Sequence, residues 1–258
     1  MKNVLVVGFN GHMGQIVCRL IKKSDDFNVT VGFDKNLSGN NLDFFKFCST
    51  ENLNHFLSET SKGSHAVDVI IDFSLPDCTM DILESVAKPF KIPTVIATTG
   101  FTDEQRDKIY DYSREFPIFL SSNMSSEIKI LTDILKQISP LLSDCDIEIV
   151  ETHHNRKKDA PSGTAKTLAD TINASLGGSM NIVYGRTGKR EKNEIGIASL
   201  RGGNIVGEHT VKFIGPFDSL EIKHTAYQRD LFAAGALDAA RFILNLHTPC
   251  GLYGMNDM

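Results

Sequence analysis

The densest group of side chains able to do chemistry lies in one polar loop in the second half of the chain. His153 and His154 are adjacent, and imidazoles titrate near neutral pH, so either ring can transfer a proton. Arg156, Lys157 and Lys158 follow closely and add three consecutive positive charges. This combination is typical of a site for an anionic substrate, and a solvated basic loop is the ordinary alternative.

The same loop ends in Ser162-Gly163-Thr164, at the start of a predicted helix. Serine is a good helix N-cap, and the backbone N–H groups at a helix start attract a carboxylate. A metal site is disfavoured because adjacent histidines cannot readily converge on one ion without ligands from elsewhere. The loop therefore predicts proton transfer and carboxylate binding, without a metal.

A second signal lies near the N-terminus, where a predicted strand, Val4–Val7, runs directly into a glycine loop and a helix. The loop consists of Gly8, Phe9, Asn10, Gly11, His12, Met13 and Gly14. In this context glycines allow a tight turn and let a pyrophosphate approach the N–H groups of the helix start. The spacing Gly-x-x-Gly-x-x-Gly is not the common fingerprint, so an ordinary strand-to-helix turn is the alternative.

An acidic residue at the end of the next strand supports the dinucleotide interpretation. Asp34 lies twenty residues beyond Gly14, where a carboxylate can accept hydrogen bonds from the ribose hydroxyls of a dinucleotide. A carboxylate there would also repel a 2′-phosphate, which favours NADH. Lys35 and His12 lie nearby in the sequence and weaken this preference, so NADH and NADPH both remain possible cofactors.

Two further loops follow predicted strands of the same region. In open α/β sheets the carboxyl ends of the strands hold the ligand, and small hydroxyl residues suit contact with a ribose or a nicotinamide amide. Such residues are also common helix N-caps, so neither loop is specific alone. The predicted cofactor contacts in these loops are Ala97, Thr98, Thr99, Ser121, Ser122, Asn123 and Met124.

The elements that must position these residues differ between the two parts of the chain. From residue 2 to residue 122, short apolar runs alternate with amphipathic helix-like stretches, which predicts an α/β fold with a doubly wound parallel sheet. After residue 123, Ile195–Arg201, Ile205–Ile214 and Leu220–Tyr227 follow one another with only turn residues between them, which predicts an antiparallel meander. We therefore favour a second α+β domain over one continuous sheet with an antiparallel edge.

Composition narrows the possible classes of protein. The 258 residues are 41% hydrophobic and 23% charged, which is typical of a folded globular chain. A net charge of −5 argues against a nucleic-acid partner, and no apolar run is long enough to predict a membrane partner. The five cysteines form no Cys-x-x-Cys pair, so we expect reduced thiols and a cytoplasmic location.

With these residues in view, the chain resembles the dihydrodipicolinate reductase family. The resemblance rests mainly on His153-His154-Asn155-Arg156-Lys157 and Asp159-Ala160-Pro161-Ser162-Gly163-Thr164, and further blocks match in order nearly from end to end. It implies a Rossmann-like dinucleotide-binding domain, residues 1–124 plus 230–258. It also implies a substrate-binding and oligomerisation domain, residues 125–229, that is built on an open mixed sheet, and assembly into a homotetramer.

The resemblance also implies an activity and residue roles. Family members reduce 4-hydroxy-tetrahydrodipicolinate, via dihydrodipicolinate, to tetrahydrodipicolinate in the diaminopimelate and lysine pathway, with NADH or NADPH. His153 matches the family's acid–base histidine and Lys157 its proton-donating or substrate-anchoring lysine. His154, Gly163 and Thr164 match positions that bind the small dicarboxylate substrate.

Four residues depart from the family pattern, and two other functions compete with the reductase. His12 stands where many members have arginine, which weakens a clamp for a 2′-phosphate, and Glu127 stands where glycine is common. Thr152 and Lys158 also differ from the usual residues. The competing functions are a related dehydrogenase of amino-acid biosynthesis and a dinucleotide-binding sensor without catalysis. An aldehyde-oxidising enzyme would need a nucleophilic cysteine near the cofactor, which the sequence does not indicate.

Overall fold

The structure is a computed structural model that describes residues 1–37, 43–61, 63, 65–248 and 250–258. Contacts divide the chain into two compact units. The first consists of Met1–Met124 and Asp230–Met258, and the second consists of Ser125–Arg229. The first is a parallel sheet with helices and the second is built on a mixed sheet, which confirms the predicted fold class.

The strands and helices have the following bounds. The strands are β1 Lys2–Val7, β2 Phe27–Phe33, β3 Phe45–Phe47, β4 Val69–Asp72, β5 Thr94–Ile96, β6 Pro117–Leu120, β7 Asp146–His153, β8 Asn181–Tyr184, β9 Glu194–Arg201, β10 Gly207–Ile214, β11 Ser219–Ala226 and β12 Gly251–Tyr253. The helices are α1 His12–Ile21, α2 Thr50–Thr60, α3 Pro76–Ile82, α4 Lys88–Phe90, α5 Asp103–Ser113, α6 Ser126–Ile138, α7 Gly163–Ser175 and α8 Asp230–Leu244. A π-helical turn, Leu83–Ala87, joins α3 to α4.

The sheet of the first unit is parallel throughout, in the order β12-β6-β5-β4-β1-β2-β3. Its central strands are continuous apolar runs because helices cover both faces, and the four residues Val4–Val7 are fully buried. The strand order reverses between β1 and β4, each of which is followed by a loop and a helix. In open sheets of this kind, the crevice at such a reversal is where a dinucleotide binds.

The sheet of the second unit has the order β11-β10-β7-β9-β8. β10 is antiparallel to β11 and β7, whereas β7, β8 and β9 pair in parallel. The predicted meander is therefore wrong in one place, because β9 and β10 are separated by β7 and do not form a hairpin. A glycine pair indicates a local turn, but the burial of apolar residues decides which strands pair. Here β7 places its apolar residues in the core that it forms with α6 and α7.

Candidate functional site

His153, the predicted acid–base residue, lies at the carboxyl end of β7, the central strand of the second unit. Side chains alternate between the two faces of a strand, so Ile147, Ile149, Glu151 and His153 share one face. All four are buried, while the residues between them are only partly buried. The core-facing side of β7 thus changes from apolar to polar at its carboxyl end and places a carboxylate next to an imidazole.

Glu151 is a buried carboxylate of the second unit with several hydrogen-bond donors around it. Its side chain is fully buried, and it accepts two hydrogen bonds from Arg201, at 2.7 and 2.8 Å. The backbone N–H of Ser162 donates to Oε1 at 3.1 Å, and Nδ1 of His153 lies 2.6 Å from Oε2. Burial alone would raise the pKa of the Glu151 carboxyl, but the hydrogen bonds led by Arg201 outweigh it and lower the pKa to about 2.

These contacts fix the protonation of the His153 ring. An ionised carboxylate can only accept hydrogen bonds, so Nδ1 of His153 carries the proton that Glu151 receives. Nε2 lies on the side of Gly207, where an added Cβ would approach it to 3.1 Å. Burial lowers the pKa of His153, the Glu151 carboxylate opposes that effect, and the positive charge of Lys157 adds to it.

A second buried histidine supports the start of α7. Nε2 of His209 lies 3.0 Å from Oγ of Ser162, which accepts the N–H of Ala165 and so caps the helix. The rings of His209 and His153 meet edge to face, with centroids 5.2 Å apart. Burial lowers the pKa of His209 to about 3, so this ring is neutral at physiological pH. His209 is therefore a packing and hydrogen-bonding residue of the site.

The basic residues of the loop are held by local partners. Nζ of Lys157 lies 2.8 Å from Oδ1 of Asp159, so the lysine is oriented by a neighbouring acid. Nη2 of Arg229 lies 3.3 Å from Nε2 of His154. Desolvation, followed by the charges of Arg156, Arg229 and Lys157, lowers the pKa of His154. These positively charged side chains are able to bind an anion.

The remaining predicted substrate-binding residues, Gly163 and Thr164, are the first two residues of α7. Because Glu151 bonds both His153 and the N–H of Ser162, the structure brings the proton-transfer group and the helix start together in one network. The helix dipole and the N–H groups at this end favour a carboxylate. His153, the loop cations and the α7 start thus form one candidate substrate site.

In the first unit, the glycine loop has the geometry that a pyrophosphate needs. Gly8 has a positive φ of 76°, and Gly11 occupies the N-cap position of α1. A Cβ on Gly14 would lie 2.0 Å from the carbonyl oxygen of Gly8, so only glycine allows α1 to pack this closely on the loop. Among the described residues, no side chain caps α1 and no acid lies in its first turn, which leaves the helix start suited to an anion.

Asp34 lies against this loop. Its Oδ2 accepts the backbone N–H of Asn10 at 3.1 Å, and its Oδ1 accepts that of Asn36 at 3.1 Å. The adjacent residue Lys35 is exposed, as is His12 at the start of α1. The structure therefore brings the predicted ribose-binding acid and the predicted phosphate loop together.

The other predicted cofactor residues lie at the same edge of the sheet, but not all of their side chains point outward. Thr99 and Ser122 are exposed, and Ala97, Ser121 and Asn123 are partly buried. The side chains of Phe9, Thr98 and Met124 are at most 4% exposed and belong to the interior. At those three positions only backbone groups can contact a cofactor. Their side chains are therefore not cofactor contacts.

Three residues of the substrate site were not predicted from the sequence. Glu151 could have been found, because Ile147, Ile149, Glu151 and His153 alternate along one strand face. Arg201 binds the Glu151 carboxylate from a strand 50 residues further along the chain. The sequence around Gly207 does not indicate a role for it, because that role depends on its closeness to the imidazole of His153.

Comparisons with known proteins agree along the whole chain. A family model described as the N-terminus of dihydrodipicolinate reductase matches residues 2–124, and one described as its C-terminus matches residues 127–258. This chain belongs to the dihydrodipicolinate reductase family. The family resemblance inferred from the histidine and glycine motifs is therefore confirmed.

Individual relatives give the same result. The chain is 43% identical over 261 residues to a 4-hydroxy-tetrahydrodipicolinate reductase of Caldanaerobacter subterraneus subsp. tengcongensis, with 100% of this chain and 98% of the relative covered. It is equally similar to the enzyme of the same description from Clostridium tetani, with 100% and 97% covered. These relatives span almost the same length, so the similarity extends to both units.

A solved structure supports the fold. A dipicolinate-bound dihydrodipicolinate reductase from Paenisporosarcina sp. TG-14 superposes with a TM-score of 0.76 at 22% identity, and covers 100% of this chain and 99% of that chain. An aspartate dehydrogenase from Thermotoga maritima is more distant, with a TM-score of 0.51 at 14% identity and 97% and 100% coverage. Among the described residues, no helix has the length and apolar character to cross a bilayer.

Proposed function

We propose that this protein reduces 4-hydroxy-tetrahydrodipicolinate, via dihydrodipicolinate, to tetrahydrodipicolinate in the diaminopimelate and lysine pathway, using NADH or NADPH. The observation that carries the proposal is a buried histidine that shares one carboxylate with the anion-binding start of a helix. This arrangement occurs in a chain whose two halves match the two halves of a reductase family. It suits a substrate that needs both a proton and carboxylate binding.

The substrate would bind in the second unit, residues 125–229. Its two carboxylates would lie against Lys157, His154 and the start of α7 at Gly163 and Thr164. Charge-assisted hydrogen bonds from such groups are stronger than neutral ones and orient a planar ring. The pairing of Lys157 with Asp159 at 2.8 Å would exchange for, or add to, a contact with the substrate.

The cofactor would bind in the first unit, residues 1–124 plus 230–258. The residues that would hold it are those of the glycine loop, Asp34 and the loops after β5 and β6. When bound, a reduced nicotinamide supplies a hydride. The substrate ring would receive the hydride at C4 and a proton at C3. His153, after taking up a proton from solvent at Nε2, or a water that Nε2 positions, would supply the proton to C3.

For cofactor preference we propose that both NADH and NADPH are accepted, with NADH favoured by Asp34. Its carboxylate already accepts two backbone N–H groups, so it is held at the loop and would repel a 2′-phosphate. Replacing Asp34 by Ala should raise the ratio of NADPH to NADH efficiency by about fivefold, since removing one close charge repulsion is worth roughly 1 kcal/mol. An unchanged ratio would show that Lys35 and His12 govern the preference.

For assembly we propose a homotetramer formed through the open face of the five-stranded sheet. α6 and α7 cover one face, while the other carries Leu200 and Ile214, which are 53% and 39% exposed. A sheet face with exposed apolar residues favours a partner surface. The cytoplasmic location expected from the cysteines stays a prediction.

The proposed activity is tested by giving the purified protein freshly generated 4-hydroxy-tetrahydrodipicolinate and following the oxidation of NADH and NADPH separately. Rapid oxidation that depends on the substrate supports the proposal. Cofactor binding without oxidation would favour the sensor. Oxidation with an amino-acid semialdehyde in place of this substrate would favour the related dehydrogenase.

A further inference from the structure

We propose that Glu151 is the positioning residue of the substrate site. It fixes the tautomer of His153 and holds the His153 ring at a fixed position relative to the start of α7. The assignment rests on the proposed function for the identity of the reaction, whereas the positioning itself is a property of the second unit alone. Glu151 does not face a ligand, because its side chain is fully buried. It acts through His153 and Ser162.

The tautomer follows from the charge of Glu151. With a proton held on Nδ1 by the carboxylate at 2.6 Å, the lone pair of a neutral His153 lies on Nε2. Nε2 is the atom beside Gly207, where the absence of a side chain leaves space. Because Glu151 binds Nδ1, Nε2 is the ring nitrogen that remains available for proton transfer.

The second oxygen of the same carboxylate fixes the position of the His153 ring relative to the start of α7. Oε1 accepts the N–H of Ser162, the N-cap of α7, at 3.1 Å. A displacement of Glu151 would therefore move the imidazole and the helix start together. Proton transfer and carboxylate binding need a fixed separation on a rigid substrate, and misplacement of a catalytic group by about 1 Å can cost roughly 10²-fold in rate.

Arg201 keeps Glu151 ionised and immobile. Its two terminal nitrogens bind both carboxylate oxygens, at 2.7 and 2.8 Å, which is the bidentate geometry of a strong pair. Nη2 of Arg201 also donates to the backbone oxygen of Asp159 at 2.6 Å, and Asp159 in turn pairs with Lys157. A chain of hydrogen bonds and ion pairs therefore connects His153 to Lys157 of the basic loop.

The charged and titratable groups around His153 predict opposite effects for two substitutions. Glu151 raises the pKa of His153, whereas Lys157 and Arg201 lower it, and the neutral ring of His209 packs against it. Glu151→Gln should therefore lower the pKa of His153 further. Arg201→Gln should raise it. A purely structural role for Glu151 would destabilise the fold without changing which ring nitrogen of His153 carries the proton.

The test is a pH titration of protein labelled with ¹⁵N-histidine, in which nitrogen chemical shifts give the tautomer and pKa of His153. We expect the Nδ1–H tautomer in the wild type, a mixture of tautomers with a lower pKa in Glu151→Gln, and a higher pKa in Arg201→Gln. Glu221→Gln, an exposed glutamate paired with Lys212 on the neighbouring β10 strand, removes the same charge and should leave His153 unchanged.

Steady-state kinetics on the same variants complete the test. Glu151→Gln should lower kcat by roughly 10²-fold or more, as expected when a catalytic imidazole loses its orienting carboxylate, and raise KM for the substrate. If the wild type and Glu151→Gln show the same tautomer and pKa, the proposal is overturned. If the titration behaves as expected but the wild type reduces no substrate, positioning stands and the proposed function fails. Should Glu151→Gln not fold, a wild-type His153 that carries its proton on Nε2 would still overturn the proposal.

Discussion

At the residue scale, the chemistry of the site comes from a few buried polar groups that satisfy one another. A buried carboxylate is tolerated because Arg201, Ser162 and His153 all donate to it. His153, His154 and Lys157 could be predicted, since adjacent imidazoles and cations in one loop are visible in the sequence. Arg201 lies 50 residues from Glu151, and such a distant partner has no local signal.

Replacing His153 or Lys157 by Ala should each lower kcat by roughly 10²- to 10⁴-fold, the range for loss of an acid–base group. NADH affinity should stay nearly unchanged, because the predicted cofactor residues lie in the other unit. Steady-state kinetics and NADH fluorescence titrations measure the two effects. Lys192→Ala, which removes an exposed charge of the same unit outside this loop, is the matched control. Wild-type rates in both alanine variants would show that these residues are not catalytic.

The buried His209 should make the fold sensitive to acid. Its pKa falls from the ordinary 6.5 to about 3 in the folded protein, so between these values the unfolded chain binds the proton and the folded chain does not. The free energy of unfolding should therefore decrease as pH falls through this window, by at most about 1.4 kcal/mol per pH unit. Stability from this group is fully present above pH 6.5.

Urea unfolding between about pH 7 and pH 4 measures this dependence. His209→Gln retains a polar partner for Ser162 but cannot take up a proton, so its stability should vary less with pH than that of the wild type. His247→Gln is the control, since this exposed histidine should leave the pH dependence as it is. Parallel curves for wild type and His209→Gln would contradict the assignment of a neutral buried ring.

At the scale of elements, continuous apolar runs and alternating helix-like stretches were enough to predict the parallel sheet of the first unit. β3 and β12 were missed because neither consists of a continuous run of buried apolar residues. The hairpin between β9 and β10 was predicted wrongly, because Gly202 and Gly203 indicate a turn but cannot show that β7 lies between the two strands. Pairing between distant strands depends on tertiary burial.

The packing of α1 on the glycine loop gives a prediction for this element. Gly14→Ala should destabilise the first unit by about 2 kcal/mol or more and abolish most NADH binding, because the added Cβ would lie 2.0 Å from the Gly8 carbonyl oxygen. Thermal unfolding and NADH titration measure both effects. Gly188→Ala, where a Cβ would meet no atom within 4 Å, is the control and should behave as wild type. Normal binding by Gly14→Ala would refute the proposed role of the loop.

At the scale of the whole molecule, the chain builds two units from three segments, and the last segment returns to the first unit. The fold class of both could be predicted, since the pattern of elements changes after residue 123. The strand order of the second sheet could not, because it depends on contacts between strands far apart in the sequence.

The homotetramer that the family resemblance implies, and that we propose forms through the open sheet face, can be tested by its mass. Light scattering should give four times the chain mass of 28.5 kDa for the wild type. Leu200→Asp should give smaller species, because an unpaired charge buried in an interface is unfavourable. Leu75→Asp, which changes an equally apolar and more exposed residue of the first unit, should remain tetrameric. A monomeric wild type would exclude this assembly.

The most direct test of the proposed function uses NADH that carries deuterium at the transferable position of its nicotinamide. The product formed from freshly generated 4-hydroxy-tetrahydrodipicolinate is then analysed by NMR spectroscopy and mass spectrometry. We predict tetrahydrodipicolinate with a single deuterium at C4 and a solvent-derived proton at C3. A product without deuterium, deuterium at another carbon, or no conversion at all would contradict the proposed reaction.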